Sequence, residues 1–142
     1  MSEITLDQAR SIVAGAHAAA AEKGLAALSV VILDLSGAVR AAERSDGAPP
    51  FGTSIAQAKA RTALGFRRST LKTAAVFQAQ PAVTTGLADA TGGHFLPLGG
   101  GVVVIDADDL VIGGVGVAGG MPEVDDAVAT AAVTAAGLRI KE

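Results

Sequence analysis

Cysteine is absent from the chain, which excludes disulfides, thiolate metal sites and cysteine nucleophiles. Tryptophan and tyrosine are absent as well, and there are only four phenylalanines, so large flat side chains cannot build most of the core. Charge of one sign is lacking. The formal net charge is −3 with acids and bases interspersed, which gives no footprint for nucleic acid. No apolar run approaches the roughly 20 residues needed to span a bilayer. The opening segment, Met1 to Arg10, has neither the basic region nor the apolar stretch of a secretory signal. Together these absences point to a cytoplasmic globular chain with no membrane partner. What is present is small: 31 alanines and 18 glycines in 142 residues, half of them apolar. Such side chains let backbones approach closely, but each buries little area, so the core must rest on many modest contacts. The length suits one domain over residues 1–142.

Thr5 and Gln8 form a capping box ahead of a helical stripe of Leu6, Ala9, Val13, Ala16, His17 and Ala20, which Gly24 ends. Leu28–Leu33 and Ala38–Arg44 flank Asp34-Leu35-Ser36-Gly37 and read as a β-hairpin, broken by the loop Asp46–Pro50. Thr53 or Ser54 can cap a second helix, with Ile55, Ala56, Lys59, Ala60 and Ala63 on one stripe. Helical pieces continue through Leu71–Phe77, and Pro81 suits the first turn of another. Gly92 to Gly101 reads as a loop or irregular strand. Val102–Ile105 and Leu110–Val117 form a second hairpin, and Pro122 opens a last helix with stripe Val124, Ala127, Val128, Ala131 and Ala135. Hairpins make antiparallel neighbours, so the order predicts an α+β sheet-and-helix sandwich rather than a parallel doubly wound fold.

Gly114-Val115-Gly116-Val117-Ala118-Gly119 has the spacing of a dinucleotide-binding loop, but its context fails. Only 23 residues follow it, and Glu123, Asp125 and Asp126 crowd the next helix start, where they would repel a pyrophosphate. Alternating glycines in a strand instead let a helix or a neighbouring subunit lie close against the sheet. His17 lies at the edge of an apolar stripe among Ala16, Ala18, Ala19, Ala20 and Ala21, with room beside it for something large and flat. It can ligate a haem iron, act as a general base, or be a core histidine bonded to a carbonyl. Lys59, also on an apolar stripe, can snorkel to solvent, hold a ligand carboxylate, or pair with Asp34 or Asp46. Arg44 and Asp46 bracket the exit of the first hairpin as an ion pair or an anion clamp. His94 and Phe95 sit in the glycine-rich loop, a usual place for binding residues, though a loop histidine can equally be a solvated one. Two histidines 77 residues apart make no zinc pattern, and neither a serine elbow nor a phosphate loop is present.

Several of these pieces, taken in order, resemble the GlcG/HbpS family of haem-binding or haem-degrading domains, which includes the C-terminal domain of PduO. They are the first helix ending in Glu22-Lys23-Gly24, the strand Ser29–Asp34 with its Ser36-Gly37 turn, and Arg44-Ser45-Asp46-Gly47-Ala48. Ala58–Ala63 and Ile112–Gly120 follow, with Asp125 and Ala129 beyond. The resemblance implies a profilin-like layered fold, a five-stranded antiparallel sheet flanked by helices, and assembly into homo-oligomers. It implies a haem axial ligand on the first helix in some members, at a place that His17 matches. It also implies that Asp34, Arg44, Lys59 and Gly119-Gly120 are cleft or fold determinants. The chain departs from the pattern at His94, which points to a different ligand or a catalytic task, and its shortage of aromatics leaves few large walls for a porphyrin.

Two functions follow as expectations. The first is a small-ligand-binding protein taking haem near the first helix, with or without its degradation. Here His17 is the ligand to the haem iron, and Arg44 and Lys59 meet the propionates. The second is a cofactor-free isomerase, lyase or hydratase acting on a small carboxylated metabolite, with His17 or His94 moving a proton and Arg44 or Lys59 holding the carboxylate. Asp46 and Phe95 complete the candidate ligand-binding set. Both expectations share one premise, that His17 and Lys59 open onto a common hollow.

Overall fold

In a computed structural model, which describes residues 3–142, the chain forms five helices and five strands. Helix α1 spans Leu6–Glu22, and its start is the expected capping box: Thr5 accepts from the Gln8 amide and Gln8 accepts from the Thr5 amide. Strands β1 (Ser29–Leu33) and β2 (Val39–Arg44) form the first hairpin. Helices α2 (Gly52–Phe66), α3 (Thr70–Phe77) and α4 (Pro81–Ala90) follow. Strands β3 (Gly101–Ile105) and β4 (Val111–Ala118) form the second hairpin, before helix α5 (Pro122–Ala135) and the short strand β5 (Arg139–Ile140).

The sheet is antiparallel throughout, in the order β2-β1-β4-β3-β5. Val30, Ile32, Val102, Val104, Val115 and Val117 point to one face, where α1 and α5 bury them with Ile12, Val13, Ala16, Val128 and Ala132. Val31, Leu33 and Ala118 point to the other face, beneath Ala56, Ala60 and Leu64 of α2. Each valine contributes on the order of 1.5–3 kcal/mol when fully buried, so the strands supply the large contacts and the helices mostly supply fit.

Glycine in β4 sets how close α2 can lie. A Cβ on Gly116 would collide with the Ala56 carbonyl oxygen, and one on Gly114 would meet the Ala60 carbonyl oxygen at 3.2 Å. The glycine repeat is therefore a seat for a helix backbone within a continuous strand, the role that its alternation suggested over nucleotide binding.

Three local expectations need correction. Neither Thr53 nor Ser54 caps α2: the helix already starts at Gly52, and Phe51 before it gives no side-chain cap. A turn does this work, since the Gly52 amide donates to the Pro49 carbonyl. The buried stripe of α5 is rotated by about one residue from the expected set, to Asp125, Val128, Ala129, Ala132 and Val133, because an acid is drawn inward. The fifth strand is β5, a two-residue segment that hydrophobic patterning does not reveal. It follows the left-handed turn at Gly137 (φ +77°) and completes the sheet by pairing with Val104 and Ile105.

Candidate functional site

The two histidines lie on opposite faces of the sheet, in separate clefts. His17, on α1, faces β2. Its Nε2 donates to Oε1 of Glu43 at 2.8 Å, and the ring is about one-third exposed. Around it a cleft of about 570 Å³ is lined by Leu6, Arg10, Val13, Ala14, Ala41, Ala42 and Glu43. Apart from Leu6 and the charged rim, these side chains are methyl or isopropyl groups, so the small-residue composition leaves room beside the imidazole. With Nε2–H held by Glu43, the lone pair of the ring lies on Nδ1, which has no protein hydrogen-bond partner among the described residues. A carboxylate on the far ring nitrogen is the arrangement that fixes the tautomer and orientation of ligating histidines.

On the other face, His94 stands in the first half of the segment between α4 and β3. A cleft of about 550 Å³ runs there between the β1–β2 turn and the last turns of α2, lined by Leu35, Ser36, Arg61, Leu64, Phe66, Arg67, Thr91 and His94 among others. Nη1 of Arg61 lies 2.8 Å from Nδ1 and 3.2 Å from Nε2 of His94, so the guanidinium rests against the imidazole ring. The loop is pinned from beneath. The hydroxyl of Thr62, only 1 % exposed, accepts from the Leu96 amide and bonds the His94 carbonyl at 2.9 Å. Phe95 turns inward and meets the rings of Phe66 and Phe77 edge-on, at 5.2 and 5.7 Å. It is an anchor for the loop and does not line the cleft beside its neighbour.

The lysine changes the picture most. The side chain of Lys59 is 2 % exposed, and its ammonium donates to Oδ2 of Asp125 and to the Val117 carbonyl, each at 3.0 Å. Asp125, equally buried, also accepts from the Gly120 amide at 2.7 Å. The ion pair ties α2 to the first turn of α5. No free ammonium is left for a propionate or a substrate, and the premise of a hollow shared by His17 and Lys59 fails. Asp125, not Asp34 or Asp46, is the partner. Only its unusual inward place on α5 would have revealed that, since spacing along the helix suggested a solvated acidic first turn.

The hairpin residues are also accounted for locally. Nη1 of Arg44 donates to the Ala48 carbonyl at 2.7 Å, while Asp46 is exposed in the turn, so the two do not form the expected pair. Arg44 lines neither histidine's cleft. Asp34 closes the β1–β2 turn through one oxygen, accepting from the Ser36 hydroxyl and from the Ser36 and Ala38 amides. These bonds, the Ser36 hydroxyl foremost, hold its carboxyl below its ordinary 3.8. Among the described residues no cluster of three or more histidines and carboxylates is placed to hold a bare metal ion, and no helix is long and apolar enough to cross a membrane. The sequence signals pointed to both histidines but not to Arg61 and Arg67, which were legible only as ordinary surface charges of α2.

Known proteins share this architecture. The complex of PduOC with heme is 25 % identical, with a TM-score of 0.86 over 99 % of each chain. The ORFY protein of Klebsiella pneumoniae is 28 % identical, with a TM-score of 0.87 over 96 % of this chain and 92 % of its own. A double mutant of Streptomyces reticuli HbpS is 29 % identical, with a TM-score of 0.81 over 94 % and 87 %. No curated protein matches the chain. A family model described as haem degrading protein HbpS-like matches residues 4–134, nearly the whole of the sheet and its helices. On that match the chain belongs to the HbpS-like family.

Proposed function

We propose that the protein binds haem in the cleft between α1 and β2, with His17 as the ligand to the iron. The carrying observation is an imidazole held by Glu43 on one nitrogen, beside a slot walled by Val13, Ala14, Ala41 and Ala42. The residues fit the group. The cleft offers apolar contact to a macrocycle, and Arg10 in its lining would take the propionate role expected of Arg44 and Lys59. When bound, haem supplies a redox-active iron, while the chain binds it, orients the imidazole and limits access of water. That a relative was crystallised with heme and that the family description names haem degradation both support the reading. Homo-oligomerisation belongs to the same proposal. The cleft is open on its outer side, where β2 is the free edge of the sheet, and a second copy there would cover the macrocycle.

Titrating the protein with haemin tests this. A shifted Soret band is expected, with saturation at a fixed stoichiometry and loss of the shift in His17→Ala. A Soret band identical to that of free haemin, or one indifferent to His17→Ala, refutes it. Ascorbate in air, added to the loaded protein, separates the two forms of the proposal: bleaching marks a degrading enzyme, and a persistent band marks a carrier.

A further inference from the structure

The second cleft, on the opposite face of the sheet, has a chemistry of its own. Arg61 and Arg67 both line it, and neither has a carboxylate partner within 4 Å among the described residues, whereas the other close ion pairs of the chain are made elsewhere. Arg67 occupies the left-handed C-cap of α2 (φ 55°), a conformation that glycine would take at less cost, and there it lines the same hollow. The His94 ring lies against the Arg61 guanidinium, on a loop that Thr62 and Phe95 lock in place. Ser36 and Thr91 also line it, their hydroxyls already donating to Asp34 and to the Leu87 carbonyl, while Leu35, Leu64 and Phe66 supply apolar wall. Two uncompensated guanidinium groups call for an anion, and a fork of parallel N–H groups matches a carboxylate. The apolar half of the lining calls for an organic body attached to it.

We propose that this cleft is a binding site for a small organic carboxylate with an apolar or aromatic body. Arg61 and Arg67 grip the carboxylate, Phe66 and the two leucines hold the body, and His94 fixes the guanidinium of Arg61. The site is independent of haem binding, because it lies across the sheet from His17 and shares no lining residue with that cleft.

The protein has only two histidines, so their ring signals in proton–carbon NMR spectra are separable, and His17→Ala assigns them. Phenylacetate, succinate and inorganic phosphate serve as probes. Phenylacetate is expected to move the His94 signal along a saturable curve in the wild type and equally in His17→Ala. Loss of one guanidinium, in Arg61→Gln or Arg67→Gln, is expected to weaken that binding about tenfold or more. Succinate is expected to bind more weakly than phenylacetate. No saturable movement of His94 up to about 10 mM, where millimolar affinities saturate, overturns the site. Tighter binding of phosphate than of phenylacetate overturns the assigned ligand class, and binding unchanged in both arginine variants overturns the grip.

Discussion

Replacing Lys59 with methionine keeps most of the stem's volume and removes the ammonium with its two hydrogen bonds, which makes it the sharpest test of how the two layers are joined. The ammonium donates to Asp125 and to the Val117 carbonyl, and both side chains are at most 2 % exposed. After the substitution the Asp125 carboxylate stays buried with the Gly120 amide as its remaining donor, and the Val117 carbonyl loses a partner. Breaking a buried pair from one side costs about 3–5 kcal/mol, most of it the stranded charge. With a urea slope of about 2 kcal/mol/M for a chain of this size, the midpoint should fall by about 1.5–2.5 M. Far-UV circular dichroism is the suitable probe, since there is no tryptophan or tyrosine to report by fluorescence. In the Lys59→Met, Asp125→Asn double variant no charge is stranded and the Gly120 amide keeps an acceptor. Its loss should fall short of the sum of the single losses by about 1–3 kcal/mol. A Lys59→Met cost below about 1 kcal/mol, or single losses that simply add, would refute the view that this pair is a buried, mutually dependent tie.

Other consequences can be measured alongside. Gly116→Ala should cost about 3 kcal/mol, because its Cβ can be admitted only by lifting α2 off the sheet. Gly86→Ala, in α4 with open space around it, should instead gain about 0.5–1 kcal/mol in the same denaturation assay. Burial raises the Asp126 carboxyl above its ordinary 3.8, against a smaller lowering by Lys72. The folded chain therefore holds that proton more tightly than the unfolded one, and its contribution to stability is lost as pH rises from 3.8 through the raised value. Asp126→Asn should accordingly raise the Tm at neutral pH and leave it nearly unchanged in acid below 3.8, and an equal effect at both pH values would contradict the assignment. Thr62→Val deprives the 94–96 backbone of its buried hydroxyl, which should cost about 1–3 kcal/mol in urea and broaden or move the His94 ring signals.

The local code of the chain was largely legible. Thr5 with Gln8, Asp34 with Ser36-Gly37, and Pro122 mark element ends through interactions that span only a few residues, so the sequence determines them without help from the fold. The hairpins and the antiparallel class follow from the same short-range patterning, and the alternating glycines of β4 already implied a closely seated neighbour. His17 was identifiable as a candidate because the small residues around it are its own neighbours along one helix. What tertiary structure alone decided is who meets whom across long separations. Lys59 and Asp125 are 66 positions apart, and Arg61 and His94 are 33 apart. Helical spacing says which face a side chain occupies, not what waits opposite it. A lysine on an apolar stripe reads the same whether it reaches a ligand or a buried acid. The two-residue strand β5 was hidden for a related reason: a segment that short has no period, and only the exposed edge of β3 makes it a strand.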